Sequence, residues 1–314
     1  MSKVITVTLN PAIDKSTTVP VLAPEKKLKC TQPVFEPGGG GINVARAIKK
    51  LGGKATALYL AGGYTGKFFS QLLEKEHIDT VVIEIANHTR ENLIVLDSAS
   101  NLQYRFGMPG PVIEEKEWKK LLSILEQMND ISYLVASGSV PAGVPTDIFA
   151  RIASIAKKKK IRCIVDTSGE ALQLAAAESV YLLKPNLGEL ASLVGAEDIE
   201  IGMVDTVAGK LVAGGKCEVV VVSMGAAGAM LVTKEMVSHI TAPVVKRKST
   251  VGAGDSMVAG IITGMMKNMS MADAARYGVA CGTAATINPG TELCRLEDVE
   301  RLFPQIQVTA KPVS

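Results

Sequence analysis

Short runs rich in β-branched residues alternate with helix-period stretches along most of this chain. Runs over 4–9, 54–61, 81–85, 133–136, 162–166, 180–183 and 219–223 have the length and apolar density of buried strands. Between them, apolar positions recur at helical spacing over 42–51, 66–76, 114–128, 146–159, 186–193 and 205–213. This alternation predicts βαβ units and an α/β fold, with a mostly parallel central sheet covered by helices on both faces. After Ser223 the order changes to two strands, 229–233 and 236–241, then consecutive helices from 254 to about 287. Two segments, 15–37 and 91–106, read as strands with no helix between them. They predict a small β-sheet lid, inserted from about 15–37 and 88–107 into a single domain over 1–314. A lid over a pocket excludes water from a reactive phosphate.

The strongest chemical signal is Ser249-Thr250-Val251-Gly252-Ala253-Gly254-Asp255-Ser256-Met257-Val258. A β-leaning run over 238–245 leads into it and an apolar helical stretch over 257–266 follows. A glycine turn that opens a helix leaves backbone N–H groups unpaired. With the helix dipole they form a site for a phosphate or a developing anion. A carboxylate repels a resting anion. Asp255 makes sense there if it takes a proton from a hydroxyl while the N–H groups around Gly252, Ala253 and Gly254 hold the developing charge. An aspartate with an ordinary pKa of about 3.9 is ionised at pH 7 and ready for that role. The plainer alternative is that Asp255 only caps the helix.

Further segments carry candidate chemistry. In Thr8-Leu9-Asn10-Pro11-Ala12-Ile13-Asp14 a buried strand ends and Asp14 follows at the carboxyl edge of the sheet, where open α/β sheets bind ligands. Asp14 either accepts sugar hydroxyls or stabilises the turn. Glu36-Pro37-Gly38-Gly39-Gly40-Gly41-Ile42-Asn43 lets a ligand approach the main chain, with the Asn43 amide one turn into a helix; a flexible turn is the alternative. In Lys184-Pro185-Asn186-Leu187-Gly188-Glu189, Asn186 and Glu189 form either a capping box or a sparse ligand set for a hydrated Mg²⁺, with Asp166 nearby. The strand ending at Ser223 and the small-residue turn through Gly225 and Gly228 suit a nucleotide lying along the backbone. Arg90, Arg105, Lys27 and Lys29 are cationic candidates for a substrate phosphate, although exposed lid cations are more often solvated.

Composition narrows the class. The chain is 47% hydrophobic and 21% charged with net charge +3, too little for a nucleic-acid partner, and aromatics are few. The longest apolar runs, such as 258–266, fall far short of a membrane span. Five scattered cysteines form no C-x-x-C pair, and Ser2 and Lys3 lead straight into a strand, so a cytoplasmic protein with buried thiols and no signal peptide is expected. His77, His88 and His239 lack metal spacing. No G-x-G-x-x-G, P-loop or G-x-S-x-G sequence occurs, which argues against a dehydrogenase, a P-loop NTPase and a serine hydrolase.

The glycine run at 38–43, the Lys184-Pro185-Asn186-x-x-Glu189 segment and Thr250-Val251-Gly252-Ala253-Gly254-Asp255 occur in that order. Together they resemble the PfkB, or ribokinase-like, family of carbohydrate kinases over essentially the whole chain. Thr8-Leu9-Asn10-Pro11-Ala12-Ile13-Asp14 is similar to the branch acting on phosphorylated ketohexoses. Phe35 to Asn43, Gln103-Tyr104-Arg105-Phe106, Met108-Pro109-Gly110 and Arg162-Cys163-Ile164-Val165-Asp166 resemble the minor-type bacterial 6-phosphofructokinases. Fructose-1-phosphate and tagatose-6-phosphate kinases usually carry a lysine in the glycine run. Gly40 departs from them and favours fructose 6-phosphate, with those two sugars as alternatives and a non-catalytic sugar- or nucleotide-binding regulator as a remoter one.

The resemblance implies a ribokinase-like three-layer domain with ATP and Mg²⁺ as cofactors. Asp255 would deprotonate O1 of fructose 6-phosphate, with the N–H groups of residues 252–255 as anion hole. Asp14, Gly39 and Asn43 would bind sugar hydroxyls; Arg90 and Ser139 would approach the 6-phosphate, joined by Lys27 and Lys29, including from a partner's lid. Lys184, Asn186 and Glu189 would serve ATP phosphates and Mg²⁺, Ser223, Gly225 and Gly228 would line the nucleotide, and Val279 and Thr283 would lie near adenine. A K⁺ beside the anion hole would draw on Ser249, Val251, Asn288 and Gly290. Apolar lid positions Val19, Val21, Leu28, Val34 and Phe35, with unpaired strand edges, lead to the expectation of a homodimer through the lid.

Overall fold

The computed structural model describes residues 3–290 and 292–313, so Ser2 and the outermost ends of the expected domain lie outside the described residues. The strands are β1 (Lys3–Thr8), β2 (Ala12–Val19), β3 (Val34–Gly38), β4 (Thr56–Gly62), β5 (Asp79–Ile85), β6 (Arg90–Asp97) and β7 (Leu102–Phe106). They continue with β8 (Ile131–Ser137), β9 (Arg162–Asp166), β10 (Val180–Leu183), β11 (Cys217–Ser223), β12 (Ala229–Val232), β13 (Met236–Ile240) and β14 (Val308–Pro312). The helices are α1 (Gly40–Lys50), α2 (Gly63–Lys75), α3 (Glu115–Gln127), α4 (Ile148–Lys158) and α5 (Gly169–Ala177). They continue with α6 (Leu187–Val194), α7 (Val204–Ala213), α8 (Ala253–Met266), α9 (Met271–Thr286) and α10 (Leu296–Leu302).

Ten strands form one sheet in the order β14-β13-β12-β11-β10-β9-β8-β1-β4-β5. From β11 to β5 all neighbours are parallel, and from β11 to β14 they are antiparallel. Side chains alternate between two cores, as strand geometry requires. On β11, Val219 and Val221 enter the core that holds Ile42, Val258 and Ile261, whereas Val220 and Val222 enter the core that holds Leu121, Phe149 and Leu172. Helices therefore cover both faces, and the strands read as continuous apolar runs for that reason.

The first core depends on a close crossing of α8 and α9. A Cβ on Gly278 would lie 2.6 Å from Ile261 Cγ1 and 2.9 Å from the Met257 carbonyl oxygen. Gly260 faces it, with only 2.8 Å from an added Cβ to the Gly278 Cα.

β3, β2, β6 and β7 form a separate four-stranded sheet in that order. β2 pairs antiparallel with β3 and parallel with β6, and β6 and β7 form a hairpin. The lid begins at Ala12, earlier than the expected 15, so Asp14 sits on a lid strand and not in a turn at the sheet edge. Residues 20–33 are mostly irregular instead of stranded, and Val19 is buried, not part of an exposed apolar face. Val21 and Val34 are exposed as expected.

Other expectations also shift. The run 238–245 stops being a strand at Ile240, because Pro243 follows and the segment turns along a cavity wall. Two helices and a strand escape the periodicity. α5 is short and alanine-rich, α10 has 7 residues, and β14 is an edge strand with an almost wholly exposed Val-Thr-Ala-Lys-Pro sequence. Among the described residues no helix is long and apolar enough to cross a membrane, and all five cysteines are free, with Cys163 and Cys217 buried.

Gly278→Ala is expected to destabilise the protein by about 1–3 kcal/mol through overpacking. Gly209→Ala on α7, where an added Cβ meets nothing within 4 Å, is expected to stabilise it by roughly 0.5–1 kcal/mol. Urea unfolding of both variants checks the pair; equal effects would contradict the close crossing.

Candidate active site

The site is built where β1, β9, β10 and β11 end and α1, α6 and α8 begin. Gly252 is the N-cap of α8 and adopts φ 69°, in the left-handed region that favours glycine. A Cβ there would also lie 2.4 Å from Leu293 Cδ2. Ala253, Gly254 and Asp255 are the first helical residues, whose N–H groups have no helical carbonyl to bond; that of Ala253 donates to the Thr250 carbonyl at 3.5 Å. Asp255 is therefore not the N-cap and makes no capping bond. Its Oδ2 instead accepts a hydrogen bond from Asn43 Nδ2 at 2.9 Å, which ties α8 to α1.

Lys184 supplies the cation. It is buried, its Nζ pairs with Asp166 Oδ1 at 3.2 Å, and it sits 3.4 Å from where a Cβ on Gly254 would be. Burial lowers its pKa, but Asp166, Glu189 and Asp255 outweigh that and hold it above the ordinary lysine range. Asp255 is pushed the other way from the expected ionised state. Burial first, then Asp166, raise its pKa to about 7, against the smaller lowering effects of the Asn43 donor and Lys184. The neutral acid and the carboxylate are thus comparably populated at neutral pH.

Asn186 caps α6, and its capping box with Glu189 is present: each backbone N–H bonds the other's side chain at 2.9 Å. The box holds Glu189 near Lys184 and Asp166, and burial raises its pKa. Among the described residues no cluster of three or more His, Cys, Asp or Glu side chains is placed to hold a metal. One or two carboxylates suit Mg²⁺ that keeps its waters, so Glu189 and Asp166 fit that ion. Ser249 is buried; its Oγ accepts from Val251 N–H and its own N–H donates to the Thr286 carbonyl. The carbonyls of Ser249, Val251, Asn288 and Gly290 accept no hydrogen bond among the described residues, which fits an oxygen-seeking cation.

Ser223 joins Asn186 through a bridge and donates its N–H to the Pro185 carbonyl at 2.9 Å. A cavity of about 450 Å³ opens beside them. Its walls include Asn186, Ser223, Gly225, Gly228, Val279 and Thr283, together with Ala253 and Gly254 of the glycine turn. Val279, Gly282, Thr283 and Thr286 recur at the spacing of one helix face on α9. The sequence reasoning missed Val245, Arg247, Met257 and Thr286. The basic run Lys246-Arg247-Lys248 just before the glycine turn was the available signal.

The lid supplies the second half. Asp14 is buried and accepts from Asn92 Nδ2 at 2.9 Å; burial raises its pKa despite that donor. Gly39 caps α1 at φ 116°, and a Cβ on Gly38 would come within 2.3 Å of Asp14 Oδ2. Arg90 donates to the carbonyls of Met108 and Asn10, each at 3.0 Å, and Asn10 Nδ2 donates to Ser139 Oγ at 3.0 Å. Asn10 and Asn92 were not singled out: Asn10 lies in the Thr8–Asp14 motif, in the turn between β1 and β2, and Asn92 is brought in by the pairing of β2 with β6. Lys27 and Lys29 are exposed on the irregular 20–33 segment, and exposed Arg105 donates to Gln103. None of these three makes a hydrogen bond or ion pair with the residues around Asp14 and Asp255.

The raised Asp255 pKa has a consequence for stability. A group whose folded-state pKa of about 7 lies above its ordinary 3.8 binds its proton more tightly in the folded chain. Its contribution is therefore present at acid pH and is lost as pH rises through about 7. Asp255→Asn is expected to match the parent near pH 4 and to exceed it by at least ~1 kcal/mol at pH 8 in urea unfolding. A constant difference across that range would contradict the shift.

Residues 4–298 match the family described as pfkB family carbohydrate kinase. The chain is 45% identical over 304 residues to the ATP-dependent 6-phosphofructokinase isozyme 2 of Escherichia coli strain K12, covering 96% of this chain and 98% of that protein. The crystal structure of phosphofructokinase-2 from Escherichia coli in complex with potassium has TM-score 0.94 at 45% identity, covering 97% of this chain and 99% of that one. The structure of the same enzyme in complex with fructose-6-phosphate has TM-score 0.92 at 43% identity, with coverage of 97% and 99%. The chain belongs to the pfkB family of carbohydrate kinases.

Proposed function

We propose that this protein transfers the γ-phosphoryl group of ATP to O1 of fructose 6-phosphate, giving fructose 1,6-bisphosphate and ADP. The observation that carries the reading is Asp255: a half-buried carboxylate held by Asn43 at the first turn of α8, beside Lys184, next to Ala253 and Gly254 at the wall of a nucleotide-sized cavity. Asp255 takes the O1 proton as O1 attacks the γ-phosphorus and the bond to the β–γ bridging oxygen breaks. The N–H groups of the glycine turn and Lys184 stabilise the charge on the transferred group. Ser223, Gly225, Gly228, Val279 and Thr283 hold the nucleotide. Asp14, Gly39 and Asn43 orient the sugar hydroxyls, and Arg90 and Ser139 approach the 6-phosphate. Glu189 and Asn186 would hold a hydrated Mg²⁺, which would neutralise phosphate charge, and Ser249, Val251, Asn288 and Gly290 would hold a K⁺, which would add positive charge beside the glycine turn.

The choice of sugar is supported by Gly40. A Cβ there would lie 2.3 Å from Ser137 Oγ and 2.7 Å from Gly138 N, so the lysine of the fructose-1-phosphate and tagatose-6-phosphate pattern has no room without a backbone shift. The relative's solved complex with fructose-6-phosphate supports the same choice. The chain works as one cytoplasmic kinase domain with its lid inserted. It pairs with a second copy through the lid, where the β3 and β7 edges and exposed Val21, Val34, Tyr104 and Phe106 lie. In a homodimer Lys27 and Lys29 reach the partner's phosphate site.

A substrate panel tests the specificity: kcat/KM is expected to be highest on fructose 6-phosphate, and a ten-fold preference for fructose 1-phosphate or tagatose 6-phosphate contradicts it. Asp255→Asn is expected to retain substrate binding but lose at least ~100-fold in kcat. For the parent, kcat/KM is expected to rise with pH up to about 7 and then level off, because only ionised Asp255 accepts the proton. A flat profile through that region would remove Asp255 as base.

A further inference from the structure

The sugar-binding reading leaves unexplained why a charged residue lies inside the core. Arg46 is 2% exposed, on a stretch of α1 that also buries Ile42, Asn43, Val44, Ala45, Ala47 and Ile48. A buried ion pair is often no more stabilising than apolar residues of the same size, so stability alone does not account for it. Position 46 lies on the helix face shared with Gly39 and Asn43, at intervals of four and three residues. Its hydrogen bonds lead to the lid. Nη1 donates to the Pro37 carbonyl at 2.9 Å, and Nη2 reaches Glu36 Oε1 at 3.4 Å. Nε and Nη2 grip Glu76, just beyond α2, in a bidentate pair at 2.8 and 2.7 Å.

The lid register explains what this clamp controls. Glu36, Asp14 and Asn92 are direct neighbours across β3, β2 and β6, so two carboxylates stand side by side. Like charges placed opposite one another push strands apart. Burial and Glu36 raise the pKa of Asp14, and Arg90 and, less strongly, Arg46 lower it, so both guanidiniums counter that repulsion at Asp14 itself. Pro37, whose carbonyl Arg46 holds, leads directly into Gly38, whose Cα packs against the Asp14 carboxylate, and into the N-cap Gly39.

We infer that Arg46 is a positioning residue of the sugar site, fixing the return strand of the lid so that Asp14, Gly38 and Gly39 meet the sugar in one geometry. This rests on the ketohexose-phosphate reading. Lysine keeps the charge but cannot bond Glu76 and Pro37 in one planar fork. Arg46→Lys is therefore expected to lower kcat/KM for the sugar phosphate by about 10- to 100-fold, the scale of a small misplacement. The loss is expected chiefly in KM, while KM for ATP changes by less than about threefold because the nucleotide cavity lies off the lid. Glu76→Gln, which weakens the anchor and leaves Arg46 in place, is expected to show the same selective loss to a smaller extent, and serves if Arg46→Lys does not fold.

Kinetics are run on fructose 6-phosphate and on whichever ketohexose phosphate the parent turns over fastest, with sugar binding read by calorimetry in the absence of nucleotide. Selective loss of sugar affinity in a variant that melts cooperatively supports the inference. An active parent whose variants keep sugar affinity, or lose sugar and ATP affinity together, overturns the inference alone. A parent inactive on every ketohexose phosphate overturns the functional reading and this inference with it.

Discussion

The arrangement of this protein depends on one half-buried carboxylate. Asp255 sits in the first turn of α8, where the helix dipole and first-turn N–H groups favour negative charge, yet burial and the Asp166 charge oppose it. Lys184 and the Asn43 amide supply the opposite balance. The result is a group poised between acid and base near neutral pH, which is where a general base works best. Each neighbouring element can be understood by what it brings to that balance. β9 and β10 bring the Asp166–Lys184 pair to the carboxyl edge of the sheet, and α1 brings Asn43.

That balance requires close approach of backbone segments, and glycines provide it. A Cβ on Gly41 would lie 2.6 Å from the Val7 carbonyl oxygen, so α1 can lie against β1 only without a side chain there. The α8–α9 crossing has the same character, and it sets the α9 face that walls the cavity beside the glycine turn. In the proposed function, nucleotide and sugar meet at Asp255 from opposite directions. The body of the molecule forms one side, and a sheet anchored by Arg46 forms the other.

Much of this was legible in the sequence, for identifiable reasons. Strands buried on both faces leave unbroken β-branched runs, and the helices between them keep an apolar stripe, so the layers could be read directly. The glycine turn, the Asn186–Glu189 segment and the glycine run could be read because short-range chemistry dictates them. Of the seven residues that the family pattern pointed to for the nucleotide, Asn186, Ser223, Gly225, Gly228, Val279 and Thr283 share the wall of one cavity and Lys184 does not. What could not be read depends on contacts distant in sequence. Asn43 and Asp255 are 212 residues apart, and the burial that lifts the aspartate pKa is a tertiary property. Asn92 holds Asp14 only because β2 and β6 pair in one particular register. α5 and β14 lack the apolar rhythm that marks their neighbours.

The most direct measurement is a pH titration of the Asp255 side-chain carboxyl by ¹³C NMR in the absence of ligands, assigned by comparison with Asp255→Asn. The account predicts a midpoint near 7, set by burial and by Asp166. A midpoint near 4, that of an ordinary solvated aspartate, would contradict it.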